Sequence, residues 1–231
     1  VKRVSDLADD TMPAWQRQSM ERSLRAARAR AHARSDRFVA AAIKLVQEKG
    51  SVDFTVQDVV ERSKMSIRTF YKYFESKDDL LLAVYETVVA RDTVPRLKER
   101  IAKVKDPQLR LRAYIEGLVE LAGTTQVRAA RTLTNYGNRL AETRPADLAR
   151  AMKPQVDLLI ELIGDLARTR PLRRDLTVET AARLTHYTVL SAVHDRVRGA
   201  EGAAEIPAQA IYQFCLSGMG LDAKPKSSAR A

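Results

Sequence analysis

Apolar residues recur along this chain at intervals of three and four, and no segment alternates with the period of two that a half-buried strand requires. The pattern predicts an all-α protein. From Ala14 to Lys49 there is neither glycine nor proline; Thr11 and Pro13 supply a start signal and Gly50 a stop. Within that run Phe38, Ala42, Leu45 and Val46 form an apolar stripe. Ser35 could open a separate helix there, leaving residues 14–34 as its continuation or as a loose arm. Three short elements follow. Thr55 pairs with Asp58, and Ser76 with Asp79, at capping-box spacing; between them Ser66 can cap a helix beginning at Ile67. The intervals between these caps hold about two helical turns and a tight connection each. Helices so short are not stable alone, so Val56, Val59, Val60, Met65, Phe70 and Phe74 must pack with Phe38, Leu45 and Phe54 in one small core. Two such helices joined by a turn of three or four residues make a helix-turn-helix.

Beyond Lys77 the helices lengthen. One runs towards Arg100 with Pro95 expected to kink or break it. Asp106 and Pro107 open another, carrying Leu111, Tyr114, Ile115, Leu118 and Leu121, and a third carries Val127, Ala130, Leu133, Gly137 and Leu140. After Pro145 and Pro154, residues Val156 to Ala167 present a wide apolar face. Thr177 opens a helix with a seam of small residues from Val178 through Ala181, Thr185 and Thr188 to Ala192, and a last helix spans about Ile206 to Met219. The expected organisation is a basic extension (1–34), a three-helix helix-turn-helix domain (35–82), a larger helical bundle (83–222), and a flexible tail (223–231).

Composition narrows the class. Glycine and proline together number 17, sparse for an all-β chain, and the 30% of charged residues suits a water-soluble domain. The net charge is +11, of which residues 1–77 contribute +6, so a polyanionic partner is favoured. No stretch approaches the roughly 18 apolar residues of a membrane span, and the first residues lack the apolar core of a secretory signal. A cytoplasmic protein is expected. Cys215 is the only cysteine, which excludes an intrachain disulfide and any cysteine-based metal site, and it reads as a small buried hydrophobe. With no glycine-rich phosphate loop, no nucleophile elbow and no metal-ligand spacing, no enzyme, cofactor or metal is expected.

The segment SKMSIRTFYKYFESKDDLL, residues 63–81, has the parts of a DNA-reading surface. Phe70 and Phe74 claim one face of the helix for the core, which leaves Ile67, Arg68, Tyr71 and Lys72 outward. Arg68 suits a guanine edge and Ile67 a thymine methyl; Tyr73 has a hydroxyl for a phosphate oxygen. Lys77 lies in the first turn of the next helix, where a cation opposes the macrodipole, and a nearby phosphate would explain it. Residues 36–85 resemble the DNA-binding domain of the tetracycline-repressor (TetR) family. The likeness runs through Gly50, Phe54-Thr55-Val56, Asp58-Val59, Ser66, Thr69-Phe70-Tyr71, Phe74, Ser76-Lys77 and Leu80-Leu81 without a gap. It implies that Tyr71, Tyr73 and Lys77 anchor phosphates and that Ile67, Arg68 and Lys72 read bases. It further implies a homodimer on a near-palindromic operator, closed through the last two helices. The expected DNA-contacting set is Thr55, Lys64, Ser66, Ile67, Arg68, Thr69, Tyr71, Lys72, Tyr73 and Lys77, with Arg34 from the extension. The chain departs from the family at Ser63-Lys64, where a small residue and glycine are usual, so Lys64 must accept a glycine-like backbone angle.

Two regions keep alternatives open. Between Ala14 and Arg37 seven arginines face only Glu21 and Asp36; this is either a solvated extension or an arm for DNA. Trp15 is expected to pack on an apolar neighbour. In the bundle, Arg131, Asn135 and Arg139 form one stripe, read as a solvated face or as a clamp for an anionic effector, with Tyr136, Tyr187 and His194 as further ligand candidates. The functional expectation is a sequence-specific transcriptional regulator, a repressor released by an unknown small molecule. The alternative is a constitutive or activating DNA-binding protein without a ligand. A cavity of roughly 300–1,000 Å³ in the bundle separates the two.

Overall fold

Alanine and arginine, both strong helix formers, fill the chain after Pro13, and they carry it into one helix of 36 residues, α1 (Ala14–Lys49), in the computed structural model, which describes residues 12–122, 127–199 and 206–221. No second helix starts at Ser35, because its hydroxyl donates back to the His32 carbonyl at 3.0 Å instead of capping the residues ahead. Gly50 takes a left-handed φ of 62° and its N–H donates to the Val46 carbonyl, closing the helix. Only the second half of α1 is covered; Trp15, expected to pack, is 67% exposed.

The three expected caps then act in turn. Thr55 accepts from the Asp58 N–H while Asp58 accepts from the Thr55 N–H, opening α2 (Val56–Ser63). The Thr55 amide, and after it the Lys49 ammonium at 3.3 Å, hold the Asp58 carboxyl below its ordinary range. Ser66 opens α3 (Ile67–Phe70), and Ser76 opens α4 (Lys77–Val88), each by accepting from an N–H three residues on. After Val88 the helix widens into a π turn (Val89–Thr93) and resumes as α5 (Val94–Ala102). Pro95 thus neither ends the run nor kinks it within an α-helix; it sits in the first turn of α5, and the wide turn upstream accommodates the carbonyl its ring would strike. Asp106 accepts from the Leu109 N–H to start α6 (Pro107–Ala122). The remaining helices are α7 (Val127–Thr143), α8 (Pro145–Thr169, continuous through Pro154), α9 (Val178–Arg198, capped by Thr177) and α10 (Ala208–Gly218). The expected tail at 223–231 and residues 1–11 of the extension lie outside the described residues. Among the described residues there is no strand, and the chain is all-α.

Two cores are joined by α4. Phe38 of α1 meets the Phe70 ring edge-on at 5.5 Å and Phe74 at 6.3 Å, all three buried beneath α2 and α3. On the other side α8 is the central rod, with Leu159, Leu162 and Ile163 fully enclosed by α6, α7 and α9. The small-residue seam of α9 points into this bundle: Ala181 and Thr185 are buried, whereas Leu184 and Tyr187 stand 55% and 61% exposed. Small size there serves close packing within the chain.

Candidate nucleic-acid interface and effector cavity

Everything at α3 follows from which residues Phe38 captures. Phe70 is fully buried and Phe74 nearly so, which turns the other side of this short helix away from the core. Ile67, Arg68, Tyr71 and Lys72 are therefore exposed, Ile67 by 47% and Tyr71 by 57%. Regular α-helix ends at Phe70; the chain then tightens, Tyr73 and Phe74 both donating to the Phe70 carbonyl at 2.9 and 3.0 Å. The reading element is one α-turn and one tighter turn, shorter than the two regular turns expected. The Tyr71 ring lies edge-on to Phe70 at 5.2 Å, which fixes its direction. Ser66 and Thr69 share a hydroxyl contact of 2.8 Å, committing both side chains to the cap.

Lys64 has a φ of 54°, left-handed and without glycine's freedom, as the sequence required. The conformation is held because Lys64 and Met65 donate to the Glu61 and Val60 carbonyls, closing α2. Lys64→Gly is therefore expected to raise stability by about 1 kcal/mol, seen as a higher urea midpoint at unchanged slope. An unchanged or lower midpoint would show the left-handed lysine to be unstrained.

Lys77 has a structural occupation that sequence spacing did not reveal. Its Nζ donates to the Val52 and Phe54 carbonyls, both at 2.8 Å, and lies 5.2 Å from the centre of the Phe54 ring. These two acceptors already account for a cation in the first turn of α4, and the third ammonium hydrogen remains for another acceptor such as a phosphate oxygen. The contacts tie the start of α4 to the strand-like lead into Thr55. α2 is pinned to α1 as well, through the bidentate pair Arg62–Glu48 at 2.5 and 2.6 Å and through Lys49–Asp58 at 3.3 Å. The reading surface stands on a rigid base. Tyr73 is half-buried, in a shallow groove with His32 and Ser35, and Arg34 is exposed on α1.

The bundle grips the other side of α4. Asp78 accepts from Arg139 at 2.6 Å and its carbonyl from the Tyr136 hydroxyl at 3.0 Å; Asp79 accepts from Arg144 at 2.9 Å. Thr132 donates to the Gly50 carbonyl at 2.8 Å. Burial, with Asp78 adding to it, pushes the Tyr136 phenol up to about 12. Close approach of α7 to α4 needs Gly137, where a methyl group would lie 2.9 Å from the Tyr85 hydroxyl.

A cavity of about 640 Å³ opens beneath this junction. Its walls are apolar, with Val84, Val88 and Val89 from α4 and the π turn, Leu118 and Leu121 from α6, Leu133 from α7, Met152 from α8 and Val193 from α9. Ile43, Val46 and Gln47 of α1 close one side, and exposed Arg91, Asp92 and Arg96 stand at the rim. Polar side chains are interspersed along these walls, including Thr87, Thr93, Thr134, Gln155 and His194. Of the six ligand candidates read from the sequence, His194 alone lines this space. Arg139 and Tyr136 are engaged with Asp78, Arg131 donates to the Val197 carbonyl, and Asn135 and Tyr187 face solvent. The Arg131–Asn135–Arg139 stripe lies on the side of α7 away from Leu133. A helix face turned to α4 cannot also line the hollow. The cavity walls come from six helices, so no local spacing could have announced them. Cys215 is buried, and burial pushes its thiol up to about 11, as expected of a small hydrophobe.

Residues 38–84 match the model of the family described as bacterial regulatory proteins, tetR family. A Bacillus subtilis (strain 168) protein described as the uncharacterized HTH-type transcriptional regulator YvdT is 32% identical over 66 residues, 29% of this chain and 34% of that protein. The match thus spans about a third of that relative. Among solved structures, a TetR-family transcriptional regulator from Pectobacterium atrosepticum superposes with a TM-score of 0.68 at 22% identity, over 86% of this chain and 99% of that one. Thermus thermophilus FadR, a TetR-family repressor solved with lauroyl-CoA, gives 0.64 at 20% identity over 85% and 99%. RolR in complex with resorcinol gives 0.63 at 17% identity over 85% and 96%. At these identities the likeness is one of fold.

Proposed function

We propose, on the match of residues 38–84 to the model of the tetR family of bacterial regulatory proteins, that this chain is a sequence-specific DNA-binding transcriptional regulator, a homodimer that represses from a near-palindromic operator and lets go when a small molecule enters the cavity. The carrying observation is the outward row Ile67, Arg68, Tyr71 and Lys72, held by Phe70 and Phe74 beneath it. Arg68 and Ile67 read base edges; Tyr71, Tyr73, Lys64 and Lys77 hold phosphates, and Thr55, Ser66 and Thr69 set the helix starts that face them. Residues 35–82 are the DNA-binding domain and residues 83–222 the sensing and dimerising one. No described helix is long and apolar enough to cross a membrane; a regulator of this kind works in the cytoplasm, on the nucleoid.

Dimerisation follows from α9 and α10, where Leu184, Tyr187 and Phe214 are 55–68% exposed on helices that otherwise bury their apolar side chains. Two copies joined there present two reading elements to half-sites about 34–36 Å apart. The cavity favours the ligand-responsive reading over a constitutive one, since its volume lies in the range of small-molecule sites. An apolar molecule with one or two hydrogen-bonding groups suits its lining. Coupling runs through α7, which lines the cavity with Leu133 and Thr134 and grips α4 with Tyr136 and Arg139 one turn on. A ligand that displaces α7 shifts the start of α4, and with it Lys77 and the reading element. To act, it must favour that displaced state over the DNA-bound one.

Paired variants test the division of roles. Arg68→Ala is expected to weaken the preferred site by about 1–3 kcal/mol and relax preference at one base pair. Tyr71→Phe, which keeps the ring on Phe70, is expected to weaken specific and random DNA alike by about tenfold. Equal losses on both DNAs for both variants would contradict the assignment.

A further inference from the structure

Many arginines of the folded body pair with carboxylates: Arg62 with Glu48, Arg91 with Asp36, Arg100 with Glu120, Arg110 with Asp165, Arg144 with Asp79 and Asp147. The projecting half of α1 breaks the pattern. Arg25 pairs with Glu21, and Asp36 is already taken by Arg91. Arg30 and Arg34 are exposed and make no hydrogen bond or ion pair among the described residues. Seven like charges along one solvated helix repel one another, and among the described residues only Glu21 pairs with any of those that project.

Where these charges point is set by Arg37. Its Nη1 donates to the Met65 sulfur at 3.7 Å, in the turn immediately before Ser66 and the reading element. Arg30, Arg34 and Arg37 stand at i, i+4 and i+7, one face of α1. The row therefore begins at the helix-turn-helix turn and continues away from it for about 10 Å at 1.5 Å per residue. The opposite side of the same segment, by Ala31, His32 and Ser35, borders the groove that holds Tyr73. The projecting helix thus leaves the protein beside α3.

We infer that the face Arg30–Arg34–Arg37 is a second DNA-binding site, a guanidinium rail that holds phosphates flanking the segment read by α3, resting on the DNA-binding reading proposed above. It lengthens the footprint of each subunit without reading sequence, because guanidinium-to-phosphate contacts carry position and charge but no base identity. Cationic rail and polyanionic backbone are opposite in sign, and the rail is continuous with the reading surface. The competing occupant is a protein. Met20 and Leu24, 51% and 53% exposed, lie in helical register with Phe38 and Leu45 on another face of α1 and could seat a second copy.

The test uses the full chain and a duplex carrying a site selected by the wild-type protein, with affinity measured across salt concentrations. The double variant Arg30→Ala/Arg34→Ala is expected to lower the slope of log K against log salt by about 0.9 for each phosphate released, close to 4 for a dimer with two rails. The loss falls equally on selected and random duplexes, and Arg30→Lys/Arg34→Lys keeps most of the slope. Trimming the flanks of the duplex should erase the difference between wild type and the alanine pair. A wild-type slope in the alanine pair overturns the inference, as does a changed oligomeric state in the absence of DNA at unchanged slope, which assigns the segment to a protein contact. Wild-type protein that binds no duplex at all overturns the regulator reading itself.

Discussion

Phe70→Ala is expected to destabilise the DNA-binding unit by about 3–5 kcal/mol and to abolish binding to any duplex. Phe70 is fully buried and touches Phe38, Phe74 and Tyr71 at ring separations of 5.2–5.5 Å, so its loss leaves a cavity that three aromatic neighbours cannot close without moving. That core belongs to short helices with little stability of their own. Calorimetry of the variant should therefore split into an early transition for the helix-turn-helix and a later one for the bundle around α8. Arg68→Ala, at an exposed position on the same turn, should leave the melting profile within about 0.5 kcal/mol of wild type. A single unshifted transition for Phe70→Ala would mean that the reading element does not rest on this core.

The second large effect concerns acid. His186 is 4% exposed and its Nδ1 has no hydrogen-bond partner; burial, with His194 adding to it, pushes the imidazole down to about 4. Unfolded, the same group titrates near 6.5. Between these two values the unfolded chain binds the proton and the folded chain does not, so stability rises with pH across that window. The contribution is complete above pH 6.5 and is lost as the pH falls towards 4, in total roughly 3 kcal/mol at 1.36 kcal/mol per unit. His186→Leu should remove that share of the pH dependence while carboxylates continue to titrate in both proteins. Parallel stability profiles for wild type and variant between pH 7 and 4 would show that His186 is protonated without penalty.

Local chemistry was legible in the sequence and distant chemistry was not. Thr55, Ser66, Ser76 and Thr177 open their helices as the spacing required, because a cap engages an N–H three residues away. The burial of Phe38, Phe70 and Phe74 followed from periodicity, and the exposure of Ile67, Arg68, Tyr71 and Lys72 followed from that. Lys77 shows the limit. Its partners Val52 and Phe54 lie more than 20 residues back, so local spacing offered a phosphate but not these two carbonyls. Arg139 likewise looked free beside Asn135 until folding brought it to Asp78, 61 residues earlier. The small residues of α9 suggested a dimer seam because sequence gives the size of a face but not the side it is turned to.

The central claim is that the turn from Ile67 to Tyr71 reads bases. It is tested most directly by selecting sequences from random DNA with the wild-type protein and with Arg68→Ala under identical salt. Wild type should enrich a near-palindrome of two half-sites, and the variant should enrich the same motif with one base pair in each half-site no longer specified. An identical motif from both proteins, or no motif from either, would contradict it.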